Sequence, residues 1–154
     1  MLPNKQILNR ISFPRELSPH FTFEELTKTS ITSYKLLNSL LAKDYVYNLV
    51  LLANYLLEPV RIILNTPLII TSGYRCASLN KQIGGSETSQ HLNATAADFK
   101  IDNKVLSLED AFLKLKQNRI LHYGQLILER GWIHISLGMP FRPLNKCRES
   151  FKII

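Results

Sequence analysis

The sequence of 154 residues is poor in the residues that mark cross-linked, repetitive or low-complexity chains. Six Gly and seven Pro are too few for a low-complexity or collagen-like chain. The two cysteines, Cys76 and Cys147, make no disulfide framework and would pair only if the fold brought them together. Hydrophobic residues form 45% of the chain and charged residues 20%, which excludes a disordered chain. The length is that of a single domain.

Long apolar runs are also lacking. The first fourteen residues hold no run of seven apolar residues behind their basic residues, so we predict no secretory signal peptide. The most apolar window, residues 46–57, is interrupted by Asn48, Asn54 and Tyr55, so we predict no membrane insertion. We expect a soluble protein made in the cytoplasm. A monomer is the default expectation, because no apolar stripe is left over from the core.

Acidic residues are outnumbered by basic ones. Nineteen Lys and Arg against twelve Asp and Glu give a net charge of +7, which favours an anionic partner such as nucleic acid, anionic lipid or the acidic bacterial cell wall. The basic residues are spread along the chain, and only the tail, residues 142–152, concentrates them weakly. Nucleic acid is therefore the least favoured of these partners, and we predict that none is bound.

Helical patterns come first in the chain and short strands later. We predict helices from Phe23, over residues 33–41, over 46–64 with a kink at Pro59, over 78–83 and over 107–117. We predict strands over residues 68–71 and 96–101, and a hairpin over 125–136 that turns at Arg130 and Gly131. This order predicts an α+β fold, with helices packed on a small antiparallel sheet. The predicted divisions are an irregular arm (1–20), one domain (21–141) and a basic tail (142–154).

The chain has four histidines, so any histidine-containing site must be built from these four. His91, Asp98 and His134 can supply the three protein ligands of a catalytic zinc ion, which leaves the fourth position for water. The alternative is that these residues have no metal-binding role. His91 would then be a loop histidine, Asp98 a strand-edge aspartate and His134 a half-buried strand histidine, and their spacing alone favours this alternative. We expect His20 to face solvent. His122, beside Tyr123, has two explanations, a support of the site or a loop histidine, and the second is favoured.

The predicted hairpin places a carboxylate near His134. A two-residue turn at residues 130–131 puts Glu129 opposite Trp132 and Ile127 opposite His134. Glu129 then lies diagonal to His134, at roughly 7–8 Å between backbones, and its side chain can reach a water on a metal at His134. Glu129 is thus a candidate general base. A solvated turn carboxylate paired with Arg130 is an equally good explanation.

A strand, a glycine turn and an arginine follow one another in Thr71-Ser72-Gly73-Tyr74-Arg75. This order presents the guanidinium of Arg75 at the sheet edge, where it suits bidentate capture of a carboxylate. Taken singly, an ordinary surface arginine is the commoner explanation.

Several motifs in one order resemble a known family. They are SGYRxxxLN at residues 72–80, GGSxxSxH at 84–91, AxD at 96–98, QLIxE at 125–129 and WxH at 132–134, with FTFEEL and LEPVR upstream. Together they resemble the zinc D-Ala-D-Ala carboxypeptidase family, in particular the short murein-peptidase branch common in bacteriophages and prophages. The resemblance covers roughly residues 20 to 137.

The resemblance implies a zinc DD-peptidase or hedgehog-like fold and a zinc ion held by His91, Asp98 and His134. It implies a metallopeptidase that cleaves a peptide bond in bacterial peptidoglycan, as a carboxypeptidase or an endopeptidase of the endolysin kind. The acid near the last histidine would be catalytic, and Arg75 would polarise the scissile carbonyl or bind a terminal carboxylate. We also predict that Ser89 and Trp132 bind substrate.

Three positions depart from the family pattern. Ala94 replaces a glycine, which would strain the loop if that position needs a positive φ. Gly131 occupies the position where many members carry the catalytic acid, and Gly124 replaces an aspartate. These departures keep open an alternative, a catalytically inactive, zinc-stabilised virion or wall-binding module.

Overall fold

Helices pack against one five-stranded sheet in the computed structural model of the chain, which describes residues 14–102, 104–138 and 149–152. The described α-helices are α1 Phe23–Thr27, α2 Lys35–Leu41, α3 Val46–Leu52, α4 Glu58–Leu64, α5 Ala77–Gln82 and α6 Leu108–Gln117. The described strands are β1 Ile69–Ser72, β2 Ala96–Lys100, β3 Gln125–Leu128, β4 Ile133–Ser136 and β5 Glu149–Lys152. The predicted α+β class is confirmed.

The strands lie in the order β1-β2-β4-β3-β5. The first four pair antiparallel, as predicted, whereas β5 pairs parallel to β3. No strand was predicted at Glu149–Lys152, because this four-residue segment has a charged residue at each end and no apolar alternation. Residues 142–148 of the predicted tail, Cys147 among them, lie outside the described residues.

The hairpin has the predicted register. Ile127 pairs with His134, and the backbone N–H of Glu129 donates to the carbonyl oxygen of Trp132 at 3.0 Å. Residues 130 and 131 therefore form the two-residue turn, and Glu129 lies opposite Trp132.

The first and last described helices, α1 and α6, begin with side-chain N-caps. The hydroxyl of Thr22 accepts from the backbone N–H of Glu25 at 3.2 Å, and the Glu25 carboxylate accepts from the backbone N–H of Thr22 at 3.0 Å. At the start of α6, the hydroxyl of Ser107 accepts from the backbone N–H of Asp110 at 3.0 Å. Each cap satisfies backbone donors that a first helical turn leaves without partners.

The long helical segment is divided near Pro59, as predicted. A π-helical turn, Ala53–Leu57, separates α3 from α4, and Pro59 stands in the first turn of α4. Proline lacks an N–H and its ring crowds the carbonyl four residues earlier, so the hydrogen-bond pattern changes just before it.

By length and composition alone, the helical stretch Thr32–Leu64 is apolar enough to cross a membrane. A core helix passes the same test, and Leu49, Leu52 and Leu56 from this stretch are fully buried in the core. The absence of membrane insertion stays a prediction.

The core determines which way the side chains of β2 point. Ala97 and Phe99 are fully buried in the main apolar cluster, together with Ile133 and Ile135 of β4. Burial of a side chain such as Phe99 stabilises the fold by about 1.5–3 kcal/mol. Since strand side chains alternate, Asp98 lies on the opposite face of the sheet.

Candidate metal centre

A row of paired residues crosses the face of the sheet opposite the core. Ser72 of β1 pairs with Asp98 of β2, and Asp98 pairs with His134 of β4. His134 in turn pairs with Ile127 of β3. Directly paired residues share a face and lie close together, so the backbone ladder itself brings Asp98 to His134.

The third polar residue reaches the row from a loop. His91 lies in the 3-10 helix Gln90–Asn93, and its Nε2 is 3.2 Å from Asp98 Oδ1 and 3.2 Å from His134 Nδ1. His134 Nδ1 is 2.8 Å from Asp98 Oδ1, and all three residues are buried. The structure therefore brings together the three residues that the sequence predicts as metal ligands, with candidate ligand atoms within 4.8 Å of one another.

The cluster fits a zinc ion in chemistry and in size. Two imidazole nitrogens and one carboxylate oxygen form a donor set that zinc uses in catalytic sites. Ligand atoms about 2.0–2.1 Å from a tetrahedral ion lie roughly 3.3 Å apart. The three separations here, 2.8, 3.2 and 3.2 Å, are close to that spacing. A small shift outward would admit the ion.

The second ring nitrogen of His91, Nδ1, is hydrogen-bonded to the backbone. Its Nδ1 lies 2.6 Å from the carbonyl oxygen of Gly73, so Nδ1–H donates and this contact assigns the tautomer. Burial lowers the pKa of His91, although Asp98 opposes the shift, so Nε2 carries a lone pair rather than a proton. That lone pair faces Asp98 Oδ1, another acceptor, and a cation between them is the natural complement.

Arg75 holds the other oxygen of Asp98. Its Nη2 donates to Asp98 Oδ2 at 2.6 Å, and its Nε donates to the hydroxyl of Ser72 at 2.8 Å. Burial would raise the pKa of Asp98, but the hydrogen bond from His134 keeps this pKa well below its ordinary value. The carboxylate is therefore ionised, with Oδ2 fixed by Arg75 and Oδ1 directed at the two histidines.

Asn38 is a buried residue that supports Arg75 and was not predicted from the sequence. The Asn38 side-chain amide donates to the carbonyl oxygens of Thr27, at 2.8 Å, and Tyr74, at 3.0 Å. Its Oδ1 accepts from the backbone N–H of Cys76 at 2.7 Å. Asn38 thus clamps the residues on either side of Arg75. No spacing pattern revealed it, because the apolar residues around it on α2, Leu36 among them, are exposed while Asn38 is buried.

The remaining predicted site residues lie around the cluster. Glu129 is half-buried at the end of β3, diagonal to His134 on the same face. Trp132 is 37% exposed and belongs to that face by alternation. Ser89 immediately precedes the 3-10 helix that carries His91. The proton-transfer role of Glu129 and the substrate roles of Arg75, Ser89 and Trp132 stay predictions.

The structure explains two of the three departures from the family pattern. Ala94 has a φ of 56° and closes the 3-10 helix, so this position does need left-handed backbone and the alanine adopts it. At Gly124 a Cβ would stand 2.6 Å from the carbonyl oxygen of Leu137, which leaves no room for an aspartate without a shift. A Cβ at Gly131 would meet nothing within 4 Å, so the structure shows no reason for glycine there.

The other two histidines lie outside the cluster. His122 is exposed, as expected of a loop histidine. His20 is half-exposed, and its Nδ1 lies 2.8 Å from Glu58 Oε2. His20 faces solvent, as expected, and its contact with Glu58, between the N-terminal segment and α4, was not predicted.

The fold and the site define an α+β protein with a candidate zinc centre of two histidines and one aspartate. The family model described as Peptidase M15 matches residues 19–136, more than half of the chain, so the chain belongs to the peptidase M15 family. No curated protein sequence matches the chain. This confirms the predicted zinc peptidase family at the level of peptidase M15, so the chain is a metallopeptidase by family, and the phage branch stays a prediction.

Proposed function

We propose that this metallopeptidase hydrolyses a peptide bond in bacterial peptidoglycan, with Zn²⁺ held by His91, Asp98 and His134. The observation that carries the proposal is the convergence of these three ligand atoms in a chain of the M15 family. We further propose a phage or prophage cell-wall-degrading enzyme, made in the host cytoplasm and acting on the wall during lysis or from the virion. The net charge of +7 supports an acidic, wall-like substrate.

The residues around the centre divide the work of hydrolysis. When bound, Zn²⁺ supplies a Lewis acid that polarises a carbonyl and acidifies water. Gly73 orients His91 through Nδ1–H, and Arg75 orients Asp98 through Oδ2. Glu129 accepts the proton of the attacking water and passes it to the leaving amine.

Digestion of purified peptidoglycan and defined stem peptides, followed by mass spectrometry, tests the proposal. We expect release of D-Ala or of shorter stems, abolished by a chelator and restored by Zn²⁺. Peptide release that persists in chelator would exclude the metal mechanism. The absence of any product from a protein with one zinc per chain would exclude hydrolysis of these bonds.

One observation favours a second candidate, a zinc-stabilised wall-binding module without activity. Position 131, where many members carry the catalytic acid, is glycine in an open position and has no carboxylate. This candidate predicts metal binding and co-sedimentation with cell walls but no release of peptides.

A further inference from the structure

The cavity beside Arg75 adjoins a much larger groove. The cavity has a volume of about 170 Å³ and is bordered by Ser72 and Arg75. The groove has a volume of about 1260 Å³ and runs along β1, α1 and α2. The two share the lining residues Lys28, Thr29, Ser30 and Thr71. The space next to Arg75 is therefore bordered by a wide groove on the side of α1.

The groove reaches the face of the sheet that carries the metal centre. Ile69, one of its lining residues, pairs with Lys100 of β2. Lys100 and Asp98 are two residues apart on one strand and share a face, so Ile69 shares that face as well. Ile69 is 53% exposed. Arg75, which lines the cavity and donates to Asp98, links the metal centre to the spaces along the edge of β1.

The size of the two spaces bears on what they can hold. The cavity alone is below the roughly 300–1,000 Å³ of pockets that enclose a whole small-molecule ligand, so by itself it accommodates about one small residue. The groove exceeds that range and has room for several residues. The groove therefore offers space for a longer part of a peptide than the cavity alone.

The charge of the groove is predominantly positive. Its lining includes the cations Arg15, Lys28, Lys35 and Lys43 against the carboxylates of Glu16 and Glu24. Lys28 is exposed and lies at the junction, since it lines both spaces. Such a groove favours a chain that carries carboxylates.

We propose that the groove binds the part of a peptide that continues beyond the scissile bond and carries carboxylates, and that Lys28 recognises its first carboxylate. The substrate is then an extended or cross-linked acidic peptide, and the activity is that of an endopeptidase. This inference rests on the proposed function for the bond that is cleaved, but binding in the groove can be measured without cleavage.

Two synthetic peptides with the same scissile bond test the inference. The short peptide ends a single residue after the bond, and the extended peptide continues for four residues that include two carboxylates. A third peptide, the control for charge, is the extended peptide with both carboxylates amidated. Binding by fluorescence anisotropy and cleavage by mass spectrometry are measured with the zinc-loaded wild type, Lys28→Ala and Lys28→Arg. Lys114→Ala, which removes an exposed lysine of α6 outside the groove, is the matched control.

We expect the extended acidic peptide to bind more tightly than the short one and to be cleaved with a higher kcat/KM. Lys28→Ala should weaken its binding and raise its KM about three- to fivefold at low salt, as for other exposed charge pairs, with kcat unchanged. Lys28→Arg should retain most of the affinity, and Lys114→Ala should bind the extended acidic peptide as tightly as the wild type does. The affinity for the amidated peptide should not change when Lys28 is replaced.

The outcomes separate this inference from the proposed function. Lys28-dependent binding without cleavage would support the groove and refute the proposed hydrolysis. Efficient cleavage of the short peptide, with no binding of the extended one, would support hydrolysis and overturn the groove. Equal effects of Lys28→Ala and Lys114→Ala would also overturn it.

Discussion

Asp98 of β2 and His134 of β4 are direct cross-strand partners, and Oδ1 of the carboxylate lies 2.8 Å from Nδ1 of the ring. Two of the three candidate zinc ligands thus lie on interior strands of the sheet, where backbone hydrogen bonds on both sides restrict the motion of the backbone. His91 comes from a loop, but its Nδ1 is fixed by the carbonyl of Gly73. A centre held in this way has its ligand atoms in place before the ion binds, which favours high affinity.

Replacement of one ligand should abolish tight zinc binding. We expect His134→Ala to lower zinc affinity by more than about 100-fold, since even outer-shell changes cost 10- to 100-fold. Zinc content after dialysis and calorimetric titration measure this. His122→Ala removes an exposed histidine outside the cluster and should retain wild-type affinity. Equal affinities of the two variants would refute the assignment of His134.

Loss of the Asn38 amide should destabilise the whole fold. In Asn38→Ala the N–H of Cys76 and the carbonyls of Thr27 and Tyr74 lose their buried partner. We expect a loss of about 2–4 kcal/mol in the free energy of unfolding, measured by urea denaturation. Zinc affinity of the folded variant should also fall, because Arg75 is less well positioned. Ser39→Ala, one residue along, is the control, and equal stabilities would contradict the clamp.

The local parts of this site were readable from the sequence. The turn at Arg130 and Gly131 and the alternation around it fixed the register of β3 with β4, because a two-residue turn permits only one pairing. The prediction of His91 and Asp98 as metal ligands required several motifs in one order, because a histidine and an aspartate at this spacing also occur by chance. Local patterns carry no information on which distant strands become neighbours, so the pairing of Asp98 with His134 emerged only from the structure.

The long-range supports were not predictable in this way. Asn38 lies 36 residues from Tyr74, and its role depends on how α2 packs beside the turn after β1. The ion pair of Arg75 with Asp98 was likewise missed, because the sequence suggested a guanidinium free to meet substrate. β5 follows β3 in the sheet without any apolar alternation of its own. Each of these depends on tertiary packing rather than on local preference.

The left-handed residue Ala94 should be a site of stored strain. An L-residue in this region costs about 1–2 kcal/mol, while glycine adds about 0.5–1 kcal/mol of chain entropy to the unfolded state. We therefore expect Ala94→Gly to stabilise the protein by about 0.5–1 kcal/mol in urea denaturation. Ala97→Gly, in the regular backbone of β2, should destabilise it instead. Destabilisation by Ala94→Gly would show that the methyl group's packing outweighs the strain.

The stability contributed by Glu58 should depend on pH. Burial would raise the pKa of Glu58, but hydrogen bonds from Ser18 and His20 hold it below its ordinary value of 4.5. A carboxyl with a lowered folded pKa stabilises the fold above its unfolded pKa, and this stability is lost as pH falls through the folded pKa. We expect Glu58→Gln to destabilise the protein at pH 7 in urea denaturation, with a difference that shrinks as the pH falls below about 4.5.

The control for Glu58 is the exposed Glu87. Glu87→Gln should change stability little at either pH. A difference between Glu58→Gln and wild type that stays constant from pH 7 to pH 3 would show that packing, rather than the charge of Glu58, holds the N-terminal segment to α4.

Replacement of Glu129 distinguishes a catalytic zinc centre from a purely structural one. If Glu129 transfers the proton, Glu129→Gln should lower kcat by about 10²- to 10⁴-fold while zinc content and stability stay at wild-type values, because the amide keeps the shape and cannot accept the proton. Glu87→Gln serves as the matched control. Position 131 adds a second test, since it has room for a side chain. If the carboxylate at position 131 can take over, Gly131→Glu should restore part of the kcat lost in Glu129→Gln. Full activity of Glu129→Gln alone would assign proton transfer to another group.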